Sequence, residues 1–277
     1  GAGIDVFATE PVKDSVLFDL PNVVCTPHLG ASTTEAQENV AIQVAEQMSD
    51  YLLKGAVTNA LNMPSISAEE APRLTPFVKL AELLGSFAGQ LTETGISGIR
   101  LEYEGDVAEM NVRALTAAAL TGILQPQLQT VNMVSAPAIA KERGIRVEEV
   151  RRSQEGVYEN YIRLTVITER QERSVAGTVF ADGKPRIIQI KGINMEAELK
   201  PRMLYVTNND KPGFIGKIGT VLGEAGVNIA HMQFGRDTEG GNAIALVAID
   251  QEVSKAAMAT INALENVQQV KPLNFIL

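Results

Sequence analysis

Asn208-Asn209-Asp210-Lys211-Pro212-Gly213-Phe214-Ile215-Gly216 decides how the last quarter of this chain folds. It follows Met203–Thr207, an apolar run of strand length. Pro212 is preset for the entrance of a helix, and Gly213 lets a ligand come close to the backbone. The spacing predicts a helix over Gly213–Ala225, stopped at Gly226. Working outward, Val227–Phe234 and Ala243–Ile249 read as strands joined through the turn Glu239-Gly240-Gly241. Ser254–Leu264 reads as a helix and Val267–Phe275 as a final strand. The order βαββαβ predicts a ferredoxin-like module over 201–277, one antiparallel sheet with both helices on one face.

The loop of this module carries chemistry. The first free amides of a helix, here at Gly213 and Phe214, can hold a carboxylate. Asp210 can pair with an ammonium group. Asn228, at the start of the next strand, can both donate and accept. Receptors for ammonium and carboxylate in one place describe an amino-acid site. The same residues also suit a plain turn followed by a strand-start asparagine. The string DKPGFIGKIGTVLGEAGVNIA, residues 210–230, resembles the signature of ACT domains, regulatory modules of amino-acid metabolism. The resemblance implies effector binding by Asp210 and Asn228, with Asn208 as a third, more variable position. It also implies pairing of copies side by side, with the effector at the seam. Gly216 and Gly219 would then permit close packing across that seam, or serve ordinary helix–sheet packing.

Upstream, 67–200 reads as an α+β domain. Asn62-Met63-Pro64-Ser65 with Pro72 and Pro76 reads as a linker. Phe77–Leu91, the Ala-rich Val112–Leu124 and Ala138–Arg143 are predicted helices; Ile99–Glu104, Tyr161–Thr168, Ser174–Phe180 and Arg186–Ile190 are predicted strands. Asp182-Gly183 between the last two is a hairpin signal. Lys184, Arg186 and Lys191 are candidates for an anionic ligand by charge, and equally suit a solvated strand face.

The first 31 residues place one of only two histidines at Cys25-Thr26-Pro27-His28-Leu29-Gly30-Ala31. Ile4–Phe7 and Asn22–Thr26 read as neighbouring strands of a mostly parallel sheet, whose ligands bind beyond the carboxyl ends of the strands. Glu10 follows the first strand and His28 the second, so a carboxylate and an imidazole can meet at one rim. Such a carboxylate would orient the ring and raise its pKa, suiting it to store a proton near neutrality. A structural histidine beside proline is the alternative. Over 32–66, Ser32-Thr33-Thr34-Glu35 fits a capping box, followed by Ala36, Val40, Val44, Met48 and Leu52 at helical spacing and a stop at Gly55.

GAGIDVFATEP followed by NVVCTPHLGAS resembles the end of the Rossmann-like nucleotide domain of the D-2-hydroxyacid dehydrogenases. The resemblance implies that His28 is the general acid/base on the substrate 2-hydroxyl and Glu10 its partner. It implies that Asp5 contacts the nicotinamide end of NAD and that His28, Leu29, Gly30 and Ala31 line the same pocket. The whole order of modules is similar to the C-terminal portion of long-form members that oxidise 3-phosphoglycerate with NAD, the first step of serine synthesis. Those members imply L-serine as effector and a cytoplasmic homo-oligomer. Gly1 reads as the middle of a domain, so a truncated chain is expected. Neither a glycine-rich pyrophosphate loop nor a fitting substrate-binding arginine occurs in these 277 residues, so no turnover is expected from the chain alone.

Composition narrows the rivals. Lys plus Arg number 24 and Asp plus Glu 33, a formal charge of -9, which repels phosphate backbones and anionic lipid. Nucleic acid and membrane are therefore poor partners, and no apolar run reaches spanning length. One cysteine, Cys25, forms no intrachain disulfide and argues against the iron–sulfur dehydratases that combine similar domains. No metal site is read. An RNA-binding sheet of the same topology would need exposed aromatics, for which Phe234 is thin support. The principal alternative is a non-catalytic amino-acid-binding module.

Overall fold

The computed structural model describes residues 1–128, 130–153 and 158–277, which form two compact units. One comprises Gly1–Asn59 with Ser65–Ala71, the other Ala60–Pro64 with Pro72–Leu277. Among the described residues no helix is long and apolar enough to cross a membrane.

In the first unit, β1 (Ala2–Ile4) and β2 (Val23–Cys25) pair in parallel, Ile4 opposite Cys25. Helix α1 spans Thr34–Lys54. Its cap is Thr33, whose Oγ1 accepts the Ala36 N–H at 3.1 Å, and not Ser32 as the capping-box reading expected. The Ser32 N–H donates to the Leu29 carbonyl, which makes Ser32 part of the preceding turn. Gly55 closes the helix at φ 69°, as its lack of a Cβ permits. Val57 forms only an isolated bridge to Ile66.

Helix α2 spans Ala71–Leu91, starting six residues earlier than the Pro72/Pro76 linker reading allowed. A missed capping box explains the difference. Ser67 Oγ accepts from the Glu70 N–H while Glu70 Oε2 accepts from the Ser67 N–H. Pro72 then falls in the first turn, where its missing N–H would have had no intrahelical partner. Replacing Ser67 by alanine should cost about 1 kcal/mol, measured by chemical denaturation; unchanged stability would remove the cap from this role.

A six-stranded sheet follows in the order β4-β3-β5-β6-β7-β8, built from β3 (Ile96–Gly105), β4 (Arg146–Arg152), β5 (Asn160–Thr168), β6 (Glu172–Val179), β7 (Pro185–Ile190) and β8 (Ile193–Glu198). Only β3 and β4 are parallel. The reading of the sequence missed both edge strands, β4 and β8. Helices α2 and α3 (Val112–Leu124), with the short α4 (Ala136–Glu142), supply the helical layer. Ile99, Leu101, Tyr103, Leu80, Leu84, Leu115 and Ile123 are all at most 1% exposed and make its core.

The last module is βαββαβ as expected: β9 (Arg202–Asn209), α5 (Phe214–Glu224), β10 (Ile229–Arg236), β11 (Asn242–Ile249), α6 (Lys255–Asn262) and β12 (Val267–Asn274). Its antiparallel sheet runs β10-β11-β9-β12. Leu204, Val206, Val247, Ile218, Leu222 and Ile261 form the core between sheet and helices. The other face of the sheet is covered as well. Tyr205 stacks edge-on against Phe87 of α2, ring centroids 5.8 Å apart, and Gln90 of α2 exchanges two 2.8 Å hydrogen bonds with the Asn274 backbone. Tyr205 is thereby buried and offers no open stacking surface on that face. Phe234 packs instead against the helix-side core, beside Phe214.

Candidate functional site

The first candidate site lies at the ends of β1 and β2. The β1–β2 register carries Asp5 and Thr26 to neighbouring positions, and Thr26 Oγ1 donates to Asp5 Oδ1 at 2.6 Å. Asp5 then takes the Leu29 and Gly30 N–H groups at 2.6 and 2.8 Å, so its carboxylate organises the loop that follows. These donors, the Thr26 hydroxyl first, hold its carboxyl below the usual range. A Cβ on Gly30 would sit 3.1 Å from Asp5 Oδ2, a tight approach. His28 donates its N–H to the Asp5 carbonyl and holds φ 58°, a left-handed conformation uncommon outside glycine.

The carboxylate and the imidazole meet as expected. His28 Nδ1 lies 2.7 Å from Glu10 Oε2, and Glu10 Oε1 accepts the Phe7 N–H at 3.0 Å. The hydrogen bond to Glu10 holds the imidazole above its ordinary pKa, and the same bond holds the Glu10 carboxyl below its own. With Nδ1 engaged, Nε2 is left without a partner among the described residues. The His28 side chain is 57% exposed, so that nitrogen is accessible. The arrangement can accept and return one proton at Nε2.

The second candidate site is in the βαββαβ module. An open cleft of about 580 Å³ is bordered by the β9–α5 loop, Asp210 to Gly216, and by Phe234, Arg236 and Gly240. Gly213 caps α5 at φ 92° with no side-chain acceptor over its first amides. Asp210, Gly213 and Phe214 are thus brought together, and Asn208 and Asn228 are not part of this cleft. Asn208 is wholly buried, its Nδ2 donating to the Asn209 carbonyl. Asn228 stands at the opposite end of the sheet. It precedes β10, bonds Asp250 through its side chain and Gln251 through its N–H, and so lies eight residues along the strand, roughly 26 Å, from Arg236.

The sequence reading missed Arg236. Its Nη1 donates to Asp210 Oδ2 at 2.7 Å, and the Gly240 N–H reaches the same oxygen at 3.2 Å. The guanidinium, more than the Gly240 amide, holds the Asp210 carboxyl below its usual range. The three anion candidates in the middle domain do not converge. Lys184 and Arg186 pair with Glu198 and Asp182, while Lys191 follows the far end of β7.

Comparison with known proteins agrees with this architecture. Residues 73–191 match the family model described as D-3-phosphoglycerate dehydrogenase intervening domain, and residues 202–266 match the ACT domain. The chain is therefore an intervening-plus-ACT protein. It is 36% identical over 272 residues, 98% of its length, to D-3-phosphoglycerate dehydrogenase of Bacillus subtilis, covering 52% of that protein. It is 39% identical over 270 residues, 97% of its length, to that of Synechocystis sp., covering 49%. For Methanocaldococcus jannaschii the figures are 36% over 274 residues, with 99% and 52% covered. The middle and last domains are thus those the two family models describe, and the relatives the chain matches are D-3-phosphoglycerate dehydrogenases. It spans about half the length of the curated relatives it matches, consistent with a C-terminal portion.

Proposed function

We propose that this chain supplies the acid/base rim of the active site and the regulatory end of an NAD-dependent enzyme oxidising 3-phosphoglycerate to 3-phosphohydroxypyruvate in serine biosynthesis. The observation that carries the catalytic reading is the 2.7 Å His28–Glu10 pair at the carboxyl ends of two parallel strands. His28 Nε2 takes the proton of the substrate 2-hydroxyl, and Glu10 stabilises the imidazolium that results. NAD, when bound, supplies the acceptor for the hydride from the same carbon. The residues present fit only one edge of a nucleotide site. Asp5 shapes the loop His28–Ala31 beside the nicotinamide, and no glycine-rich loop occurs in these 277 residues. No turnover is therefore expected from this chain by itself. NADH formation from 3-phosphoglycerate, assayed with the chain joined to the upstream half of such an enzyme, tests the reading; its absence would refute it.

The ACT module is read as the seat of L-serine feedback. β10 is an edge strand. Two copies pairing antiparallel through β10 would bring Asn228 of a second copy to the end where Asp210 stands. That would reunite residues that one chain holds at opposite ends of its sheet, and it favours a homo-oligomer with the effector at the seam. Feedback then requires a coupling free energy between this seam and the His28 rim. Asp210→Ala should abolish calorimetric binding of L-serine; an unchanged affinity would defeat the assignment.

A further inference from the structure

Asp210 does not stand alone in the cleft. Its side chain is only 18% exposed, and one oxygen, Oδ2, is shared by Arg236 Nη1 and the Gly240 N–H. The other oxygen, Oδ1, has no partner among the described residues. Arg236 is 52% exposed and, through Nη1 alone, uses one of its five N–H donors. The backbone holds the pair in place: the Asp210 N–H donates to the Gly241 carbonyl at 2.7 Å, and Arg236 lies opposite Ala243 in the β10–β11 register. The result is a fixed anion and a fixed cation 2.7 Å apart, each with unused valence, in one cleft.

An α-amino acid presents its ammonium and carboxylate at a similar separation. We infer that Arg236, together with Asp210, is the receptor for the two charges of the effector, the guanidinium holding the carboxylate while Asp210 Oδ1 holds the ammonium. This rests on the effector reading above and adds to it a second charged residue. The ion pair need not break, because the free Oδ1 and the free N–H edge of Arg236 lie on the same pair. Four charges then alternate in sign, and a ligand carrying only one of the two groups would leave one protein charge facing a void in the contact. Lys211 and Glu239, the other charged residues bordering the cleft, cancel in formal charge. Phe214 and Phe234, ring centroids 5.9 Å apart, supply its apolar wall.

The test is calorimetry on the chain as it stands, with L-serine, glycine, L-alanine, ethanolamine and glycolate as probes. Ethanolamine keeps the ammonium without the carboxylate, and glycolate the reverse. The unsubstituted chain should bind the amino acids and show neither analogue at comparable concentration. Arg236→Gln should weaken L-serine about ten- to a hundredfold, the usual range for a charged hydrogen-bonding partner, and narrow the gap between L-serine and ethanolamine. Arg236→Lys, which keeps the charge and loses the planar fork, should lie between. Far-UV circular dichroism of each variant reports whether this exposed position leaves the fold intact. L-serine bound by Arg236→Gln as tightly as by the unsubstituted chain would overturn the role of Arg236 and leave the effector reading standing. Failure of the unsubstituted chain to bind any of the three amino acids would overturn both.

Discussion

His28→Ala, made in the chain joined to the upstream half of such an enzyme, should lower turnover about 10²- to 10⁴-fold, the usual worth of a positioned acid/base group. NAD affinity should change little, because the ring's only described side-chain contact is Glu10. Glu10→Gln is the more informative companion. The carboxylate raises the imidazole pKa by accepting its hydrogen bond, so an amide in its place should let that pKa fall. Oxidation needs the neutral ring to receive a proton. The rising limb of turnover against pH should therefore move to lower pH in Glu10→Gln, while the plateau falls because the imidazolium loses its stabilising partner. An unmoved limb, or near-normal turnover in His28→Ala, would take the pair out of the proton-transfer role.

Gly122→Ala should strongly destabilise the second unit. A Cβ at Gly122 of α3 would lie 2.1 Å from the Glu82 carbonyl oxygen and 2.6 Å from the Ser86 nitrogen, both backbone atoms of α2. The close approach is mutual: Gly85 and Gly89 of α2 would meet the Ala119 and Ile123 carbonyl oxygens at 2.2 and 2.4 Å. No rotamer change relieves a clash with backbone, so the two helices must separate, at a cost of about 1–3 kcal/mol or more. At this domain size each kcal/mol lowers the melting temperature by roughly 2–4 °C. The same α2 carries Phe87 and Gln90 to the ACT sheet, so the loosened helix should also weaken that contact. A thermal melt with an unchanged midpoint would show that α2 and α3 are not interlocked in this way.

What could be read from the sequence follows a physical line. The βαββαβ module was legible because each turn is marked by its own chemistry, from Lys211-Pro212-Gly213 to Gly240-Gly241, and its helices and strands carry clean apolar runs. The meeting of Glu10 and His28 was legible because each follows one of two paired parallel strands, Glu10 by six residues and His28 by three. Strand β4, Arg-Val-Glu-Glu-Val-Arg-Arg, was not, because an edge strand exposed on both faces carries no apolar alternation. Strand β8 did alternate, with Ile193, Met195 and Ala197 buried, and could have been found. The start of α2 was hidden by giving Pro72 and Pro76 more weight than the Ser67/Glu70 cap. The glycine interlock of α2 with α3, the Asp210–Arg236 pair and the far placement of Asn228 depend on which elements become neighbours, and no local pattern records that.

Whether Glu10 tunes His28 as a proton carrier can be measured directly on the chain itself. It holds two histidines, so an NMR pH titration of the imidazoles gives two resolvable curves, with His28→Ala assigning which is which. The His28 ring should titrate above the ordinary imidazole range and drop toward it in Glu10→Gln. A His28 curve at the ordinary value, indifferent to the residue at position 10, would contradict it.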